Sequence, residues 1–121
     1  MKKLTKKRSI ELCLELWTWL SMNPGIRKCE WPGWNESYGY INSDCFACEY
    51  TRQHMSANQY EWNCKKCPLL NLWGEYEGND PCMNNEVSPY YLWCDSEYND
   101  TKSAKKIVSY CRKLLKEMEK K

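Results

Sequence analysis

Four of the nine cysteines in this 121-residue chain form two C-x-x-C pairs, and this spacing constrains the fold more than any other feature. The pairs are Cys45 with Cys48 and Cys64 with Cys67, separated by fifteen residues. Two cysteines spaced in this way fit a tight turn that directs both sulfur atoms towards one point, and two such turns complete a tetrahedron. Four thiolates suit Zn²⁺ and leave no open coordination position for water or substrate. The sequence therefore predicts one structural zinc ion at Cys45, Cys48, Cys64 and Cys67.

The alternatives to zinc are a redox-active C-x-x-C motif, an iron–sulfur cluster and a chance spacing. Neither cysteine pair lies in the strand-to-helix context of a thioredoxin-like motif. Cys82 is the strongest alternative ligand among the remaining cysteines, and His54, the single histidine, lies between the two pairs. Whether Cys82 or His54 joins or replaces one of the four predicted ligands stays open on the sequence.

The cysteine content also bears on the cellular compartment. An odd number of cysteines does not suit a closed disulfide framework. The apolar stretch near the N-terminus contains Glu11 and Glu15, which the apolar core of a secretion signal does not carry. No segment reaches the roughly 20 apolar residues that a membrane span requires. We therefore expect a cytoplasmic protein without membrane association, in which the thiols stay reduced and are able to bind metal.

Two helices are predicted at the ends of the chain, over residues 5–22 and 101–120. Apolar residues recur in both segments at spacings of three and four, which places them on one helix face. The first stripe comprises Ile10, Cys13, Leu14, Leu16, Trp17 and Leu20, and the second comprises Ala104, Ile107, Val108, Cys111, Leu114, Leu115 and Met118. Asn23-Pro24-Gly25 ends the first helix, and Asp100 or Thr101 caps the second. The two helices are expected to pack against each other or to share one core.

The middle of the chain, residues 24–99, has no comparable periodicity. Turn signals such as Ser88-Pro89 interrupt it, and short strands are expected around Tyr38–Ile41 and Tyr90–Trp93. Because such a segment cannot build a core alone, a metal ion must organise it and the terminal helices must cover it. The predicted fold is a single α+β domain over residues 1–121, with both helices packed around an irregular, zinc-stapled middle.

Charge is distributed unevenly, although the net charge is only +2. Residues 1–23 carry a balance of +3, residues 24–99 carry −6 and residues 100–121 carry +5. The basic ends are either solvated helix faces lying over an acidic middle or a patch for a polyanion.

The candidate chemistry favours binding over catalysis. A closed four-cysteine zinc site offers no position for substrate, and one histidine cannot serve as both the base and the metal ligand of a nuclease. No glycine-rich phosphate-binding loop is present. The chain instead has 7 Trp and 9 Tyr. Most of these rings are expected to pack onto the helices and the zinc loops, but Trp and Tyr are also the residues that anchor protein interfaces.

Five segments together carry a resemblance to a known group of proteins. They are Leu16-Trp17-Thr18-Trp19-Leu20, Trp31-Pro32-Gly33-Trp34, Cys45-Phe46-Ala47-Cys48-Glu49-Tyr50, Cys64-Lys65-Lys66-Cys67-Pro68-Leu69 and Ser88-Pro89-Tyr90-Tyr91-Leu92-Trp93. The chain resembles small cysteine-rich accessory proteins of phages and prophages of low-GC Gram-positive bacteria. That resemblance implies action in the cytoplasm of a bacterial host. Since some metal-binding accessory proteins of phages are anti-CRISPR proteins, it also implies an inhibitor of that type by analogy.

The hypothesis from the sequence is thus a non-enzymatic, zinc-stabilised protein-binding module that inhibits a host defence nuclease. A CRISPR effector nuclease is the most specific partner it names. The alternative is a zinc-dependent nucleic-acid-binding or transcription-regulating protein, which the basic C-terminal helix and the four-cysteine site support. Nucleic acid is the less favoured partner because the middle of the chain is acidic. A zinc nuclease that depends on His54 is a third hypothesis, and the oligomeric state stays open.

Overall fold

The computed structural model describes residues 5–32, Phe46, Tyr50, residues 67–74 and residues 81–120. Its α-helices are α1 (Lys6–Met22), α2 (Pro81–Asn84), α3 (Pro89–Asp95) and α4 (Thr101–Glu119), and single 3₁₀ turns lie at Lys28–Glu30 and Leu70–Leu72. Phe46 and Tyr50 are also helical. None of the helices in these ranges is long and apolar enough to cross a membrane.

The prediction of an α+β fold is wrong. The described residues contain no strand, and the predicted strand at Tyr90–Trp93 lies inside α3. The sequence signal for this helix is Ser88 with extended backbone before it and Pro89 in its first turn, where the fixed φ of proline suits a helix. The Tyr and Trp residues of this segment have only a context-dependent β-propensity, which the helix start outweighs. The other predicted strand, Tyr38–Ile41, lies outside the described residues.

Helix α1 matches the predicted N-terminal helix closely. Thr5 is its N-cap, and the Thr5 hydroxyl accepts a hydrogen bond of 3.0 Å from the backbone N–H of Arg8. The helix ends before Asn23, as predicted. Gly25 then adopts a φ of +83°, which glycine reaches without steric cost, and its N–H donates to the Tyr98 carbonyl at 2.8 Å. This bond ties the end of α1 to the turn between α3 and α4.

Helix α4 also forms where the sequence predicts it, with Asp100 rather than Thr101 as the N-cap. One carboxylate oxygen of Asp100 accepts from the backbone N–H of Ser103 at 3.0 Å, and the other accepts from the Ser103 hydroxyl at 2.8 Å. These two bonds hold the pKa of the Asp100 carboxyl below its ordinary value of 3.8, and the bond from the Ser103 hydroxyl has the larger effect.

Replacing Asp100 with alanine should lower the free energy of unfolding by about 1 kcal/mol, because the cap of α4 is lost. Asn caps as well as Asp but does not ionise, so Asp100→Asn should keep most of the stability. Since the folded pKa is depressed, the contribution of the ionised carboxylate is present above pH 3.8 and is lost as the pH falls through the folded pKa. Urea unfolding of the three proteins across the acid range measures both effects. An Asp100→Ala protein as stable as the original would contradict the cap.

The core lies between α1 and α4, which pack along each other as predicted. Their buried apolar residues are Ile10, Leu12, Cys13, Leu16, Trp17 and Leu20 of α1 and Ala104, Ile107, Val108 and Cys111 of α4. The C-terminal part of the α4 stripe is less enclosed, since Leu114, Leu115 and Met118 are only half-buried. The middle of the chain contributes Phe46, Leu69, Trp73 and Trp93 to the same core.

One hydrogen bond and one close approach hold the segment 67–74 against the turn between α2 and α3. The side chain of Asn85, which is 9% exposed, donates a 2.8 Å hydrogen bond to the Trp73 carbonyl. Gly74 follows with a φ of +85°, and a Cβ atom there would lie 3.1 Å from the Asn85 amide nitrogen. Only glycine therefore meets both the backbone conformation and the close approach at this position.

Candidate functional site

The predicted zinc ligands are only partly within the described residues. Cys67 is half-buried and begins the segment that continues into the 3₁₀ turn Leu70–Leu72, and its carbonyl accepts a 3.1 Å hydrogen bond from the N–H of Leu70. Cys45, Cys48 and Cys64 lie outside the described residues, as does His54. Within the described ranges, no three His, Cys, Asp or Glu side chains converge in a group able to hold a metal ion.

Residues adjacent to both C-x-x-C pairs are anchored in the core. Phe46, which falls between Cys45 and Cys48 in the sequence, is completely buried, and its ring centroid lies 5.9 Å from that of Trp31 in an edge-to-face arrangement. Leu69, two residues after Cys67, is 1% exposed and belongs to the same core cluster. One residue next to each cysteine pair therefore belongs to the same hydrophobic core.

The described cysteines outside the predicted site have different surroundings. Cys13 and Cys111 are buried on the apolar faces of α1 and α4, as expected for thiols that act as small hydrophobes. Cys82 and Cys94 are half-buried. Burial raises the pKa of the Cys94 thiol, and the nearby Lys28 ammonium and a hydrogen bond with Tyr90 offset this only in part. At neutral pH Cys94 is therefore a protonated thiol and not a nucleophilic thiolate.

The aromatic residues near α3 form a packed cluster. The ring centroid of Trp17 lies 4.8 Å from that of Trp93 and 5.9 Å from that of Tyr90, both edge-to-face. Trp17, Trp73 and Trp93 are nearly inaccessible to solvent, which makes them part of the core and not anchors for a partner. Tyr90 is half-buried, and the Lys28 ammonium lies 4.4 Å from its ring centroid in a cation–π contact.

A surface depression lies beside α4, and we call it the lysine groove. It is a shallow, open depression of about 460 Å³ between α4 and the 3₁₀ turn Leu70–Leu72. Its lining consists of Leu72, Lys102, Lys105, Lys106, Ser109, Tyr110 and Lys113. The four lysines are exposed, whereas Leu72 and Tyr110 are half-buried and supply apolar surface between them. The groove can accept a ligand that combines negative charge with apolar surface.

Tyr110 lies beside the 3₁₀ turn that borders the lysine groove. The Asn71 side chain of that turn is close enough to affect the pKa of the Tyr110 hydroxyl. Burial raises the pKa of the Tyr110 hydroxyl, and the Asn71 side chain opposes this shift. Cys67 and Cys111 lie near enough to contribute further to that shift. The lysine groove and the predicted ligand Cys67 are thus neighbours in the fold.

The sequence patterns did not reveal the lysine groove. Lysines off the apolar stripe of α4 were evident, but a charged face opposite a buried one is the ordinary appearance of a surface helix. The additional wall from Leu72 comes from a segment more than thirty residues earlier in the chain. The signal available in the sequence was the spacing of Lys102, Lys106, Tyr110 and Lys113, which repeats at three and four residues and defines one helix face.

No family model, curated protein or solved structure matches the chain.

Proposed function

We propose that this protein is a non-enzymatic binding module, stabilised by one structural zinc ion, that acts by occupying the surface of another macromolecule. The zinc proposal rests on the spacing of Cys45, Cys48, Cys64 and Cys67. It is supported by the burial of Phe46 beside the first pair and of Leu69 beside the second. Four thiolates would close the coordination sphere and supply folding energy with no reactive position.

The lysine groove is the observation that carries the binding proposal. A surface helix can keep its lysines apart from apolar side chains, but here four lysines line the same depression as Leu72 and Tyr110. Concentrating like charge around apolar surface adds nothing to the packing of α1 on α4. It does provide electrostatic attraction and apolar contact area for a partner.

The specific role that we propose is inhibition of a bacterial host's defence nuclease, with a CRISPR effector nuclease as the first target to test. The resemblance to phage accessory proteins supports this choice of target. An inhibitor of this kind works by binding at a fixed ratio, because a protein that only occupies a surface is consumed in the complex that it forms.

Titration of the purified protein against a CRISPR effector nuclease that cleaves target DNA tests this role. Inhibition should be complete near one protein per nuclease and should not deepen with longer incubation. The matched control is a Cys67→Ser protein, in which loss of the zinc site should abolish inhibition. Inhibition that grows with time at substoichiometric protein would show an enzyme instead, and an unaffected nuclease would refute the role.

The lysine groove also favours a second candidate, a nucleic-acid-binding module. Lysines on one face of α4 are able to contact successive phosphates, which makes the affinity fall steeply with rising salt. Binding of random duplex DNA measured at several salt concentrations separates the two functions. A protein-binding inhibitor should bind this DNA weakly and without the steep salt dependence of a dedicated nucleic-acid module.

A further inference from the structure

We infer that the lysine groove is a docking site for an acidic protein segment that carries an apolar anchor residue. The inference rests on the proposed binding function and names the surface and the chemistry of the partner that this function requires. The inference is drawn from the lysines that line the groove, the apolar surface of Leu72 and Tyr110, and the hydrogen bond that holds the segment next to Leu72.

Four lysines of α4 are among the residues that line the groove. Lys102 and Lys113 mark its ends on α4, and eleven residues of helix place their backbones about 16 Å apart. Lys105 and Lys106 lie between them. Within the described part of the chain, an ion pair joins Arg8 to Glu11. No carboxylate of the described residues lies within ion-pair distance of these four lysines. A segment with several Asp or Glu residues therefore complements the groove in sign and in length.

The floor of the groove requires an apolar group from the same ligand. Leu72 and Tyr110 supply its apolar surface, and the open depression of about 460 Å³ has room for one compact apolar group. One large apolar side chain in this space would remove the exposed parts of Leu72 and Tyr110 from water. Buried aromatic or aliphatic anchors of this type dominate the affinity of protein interfaces.

The same floor argues for a protein segment over a nucleic acid. Single-stranded nucleic acids bind by stacking successive bases on several aromatic rings beside a basic track. Among the described residues that line the lysine groove, Tyr110 is the one aromatic ring, and none is an arginine that could bind a phosphate through two hydrogen bonds. Its positive charge suits any anion, but its apolar content suits a side chain better than a run of bases.

The segment that brings Leu72 to the groove is held before any ligand arrives. The Asn85 side chain donates a 2.8 Å hydrogen bond to the carbonyl of Trp73, the residue after Leu72. A segment fixed in this way needs little ordering when a ligand binds, and a smaller ordering cost raises affinity.

Selection from a displayed library of random 12-residue peptides tests this inference with the full-length protein. Enriched peptides should contain an excess of Asp and Glu together with at least one large apolar residue. A labelled copy of one enriched peptide and a 20-nucleotide single-stranded DNA of random sequence are then compared by fluorescence anisotropy. The peptide should bind more tightly than the DNA.

Two charge-reversal variants locate the binding surface. Lys106→Glu combined with Lys113→Glu reverses two charges that line the groove, and it should weaken peptide binding by about tenfold or more. Arg112→Glu combined with Lys116→Glu reverses the same number of charges on the same helix outside the groove, and it should weaken binding by less than about threefold. A third variant, Leu72→Ser, should weaken binding of the peptide without changing the net charge. Circular dichroism confirms that each variant is folded.

The inference is overturned if the library yields no enriched peptides, if enriched peptides lack an acidic excess, or if both charge reversals weaken binding equally. Tighter binding of the DNA overturns it in favour of a nucleic-acid site. These outcomes are separable from the proposed function. If the wild-type protein inhibits the nuclease at equimolar ratio and the groove variants inhibit equally well, the groove inference fails while the function stands. If no inhibition occurs but acidic peptides bind, the function fails and the groove stands.

Discussion

Cys67→Ser and Cys48→Ser should each abolish cooperative folding of this protein. Metal binding to a structural four-cysteine site contributes on the order of 10 kcal/mol of folding free energy, and a domain of this size has a total stability of about 5–15 kcal/mol. Losing one ligand thus removes most or all of the free-energy difference between the folded and unfolded states. Thermal unfolding followed by circular dichroism, with zinc content measured on the same samples, shows whether the metal and the cooperative transition disappear together.

Two other cysteine variants serve as controls for this prediction. Cys94 is half-buried and is not among the predicted ligands, so Cys94→Ser should retain zinc and lose no more than about 1 kcal/mol of stability. Cys82→Ser tests the alternative ligand directly, since loss of metal in this variant would show that Cys82 takes part in the site. Melting like that of the original protein in both Cys48→Ser and Cys67→Ser would contradict the zinc site.

Trp17→Ala should lower the free energy of unfolding by about 3–5 kcal/mol, as truncation of a large core aromatic does. The Trp17 side chain is 3% exposed and makes edge-to-face contacts with the rings of Trp93 and Tyr90. Its removal leaves a cavity where α1 meets α3, and it costs the ring contacts as well as the buried area. Urea unfolding monitored by circular dichroism measures the loss.

Trp19 provides a matched control on the same helix. It is half-buried, so Trp19→Ala should cost clearly less, about 1–2 kcal/mol. Leu115→Ala should also fall below the Trp17 value, because Leu115 lies in the less enclosed part of the α4 stripe. Equal losses at Trp17 and Trp19 would contradict the packing described for the face of α1.

The sequence predicted the two long helices because their signals are local and repeated. Seven apolar positions of α4 recur at spacings of three and four, and Asp100 precedes them with a capping side chain. Packing of α1 on α4 then followed, since each helix has one apolar face and each must bury it. Signals of this kind depend little on the rest of the chain.

Helix α3 shows where local signals conflict. Its aromatic residues suggested a strand, whereas Ser88 and Pro89 carried the helix start that the protein uses. A segment of seven residues has too few positions for periodicity to outweigh residue type. Its burial is decided by Trp17 on another helix, which a short stretch of sequence does not reveal.

The two candidate sites also differ in how far the sequence predicts them. The cysteine pairs are visible in the sequence because the predicted metal ligands occur at a characteristic spacing. The lysine groove is not visible there, because Leu72 reaches α4 only through the tertiary fold.

X-ray absorption spectroscopy at the zinc edge, on protein purified without added metal, shows whether Cys45, Cys48, Cys64 and Cys67 hold one zinc ion. We expect one zinc per chain surrounded by four sulfur atoms at about 2.3 Å. A protein without zinc, or a zinc ion with a nitrogen or oxygen ligand at about 2.0–2.1 Å in its first shell, would contradict this prediction.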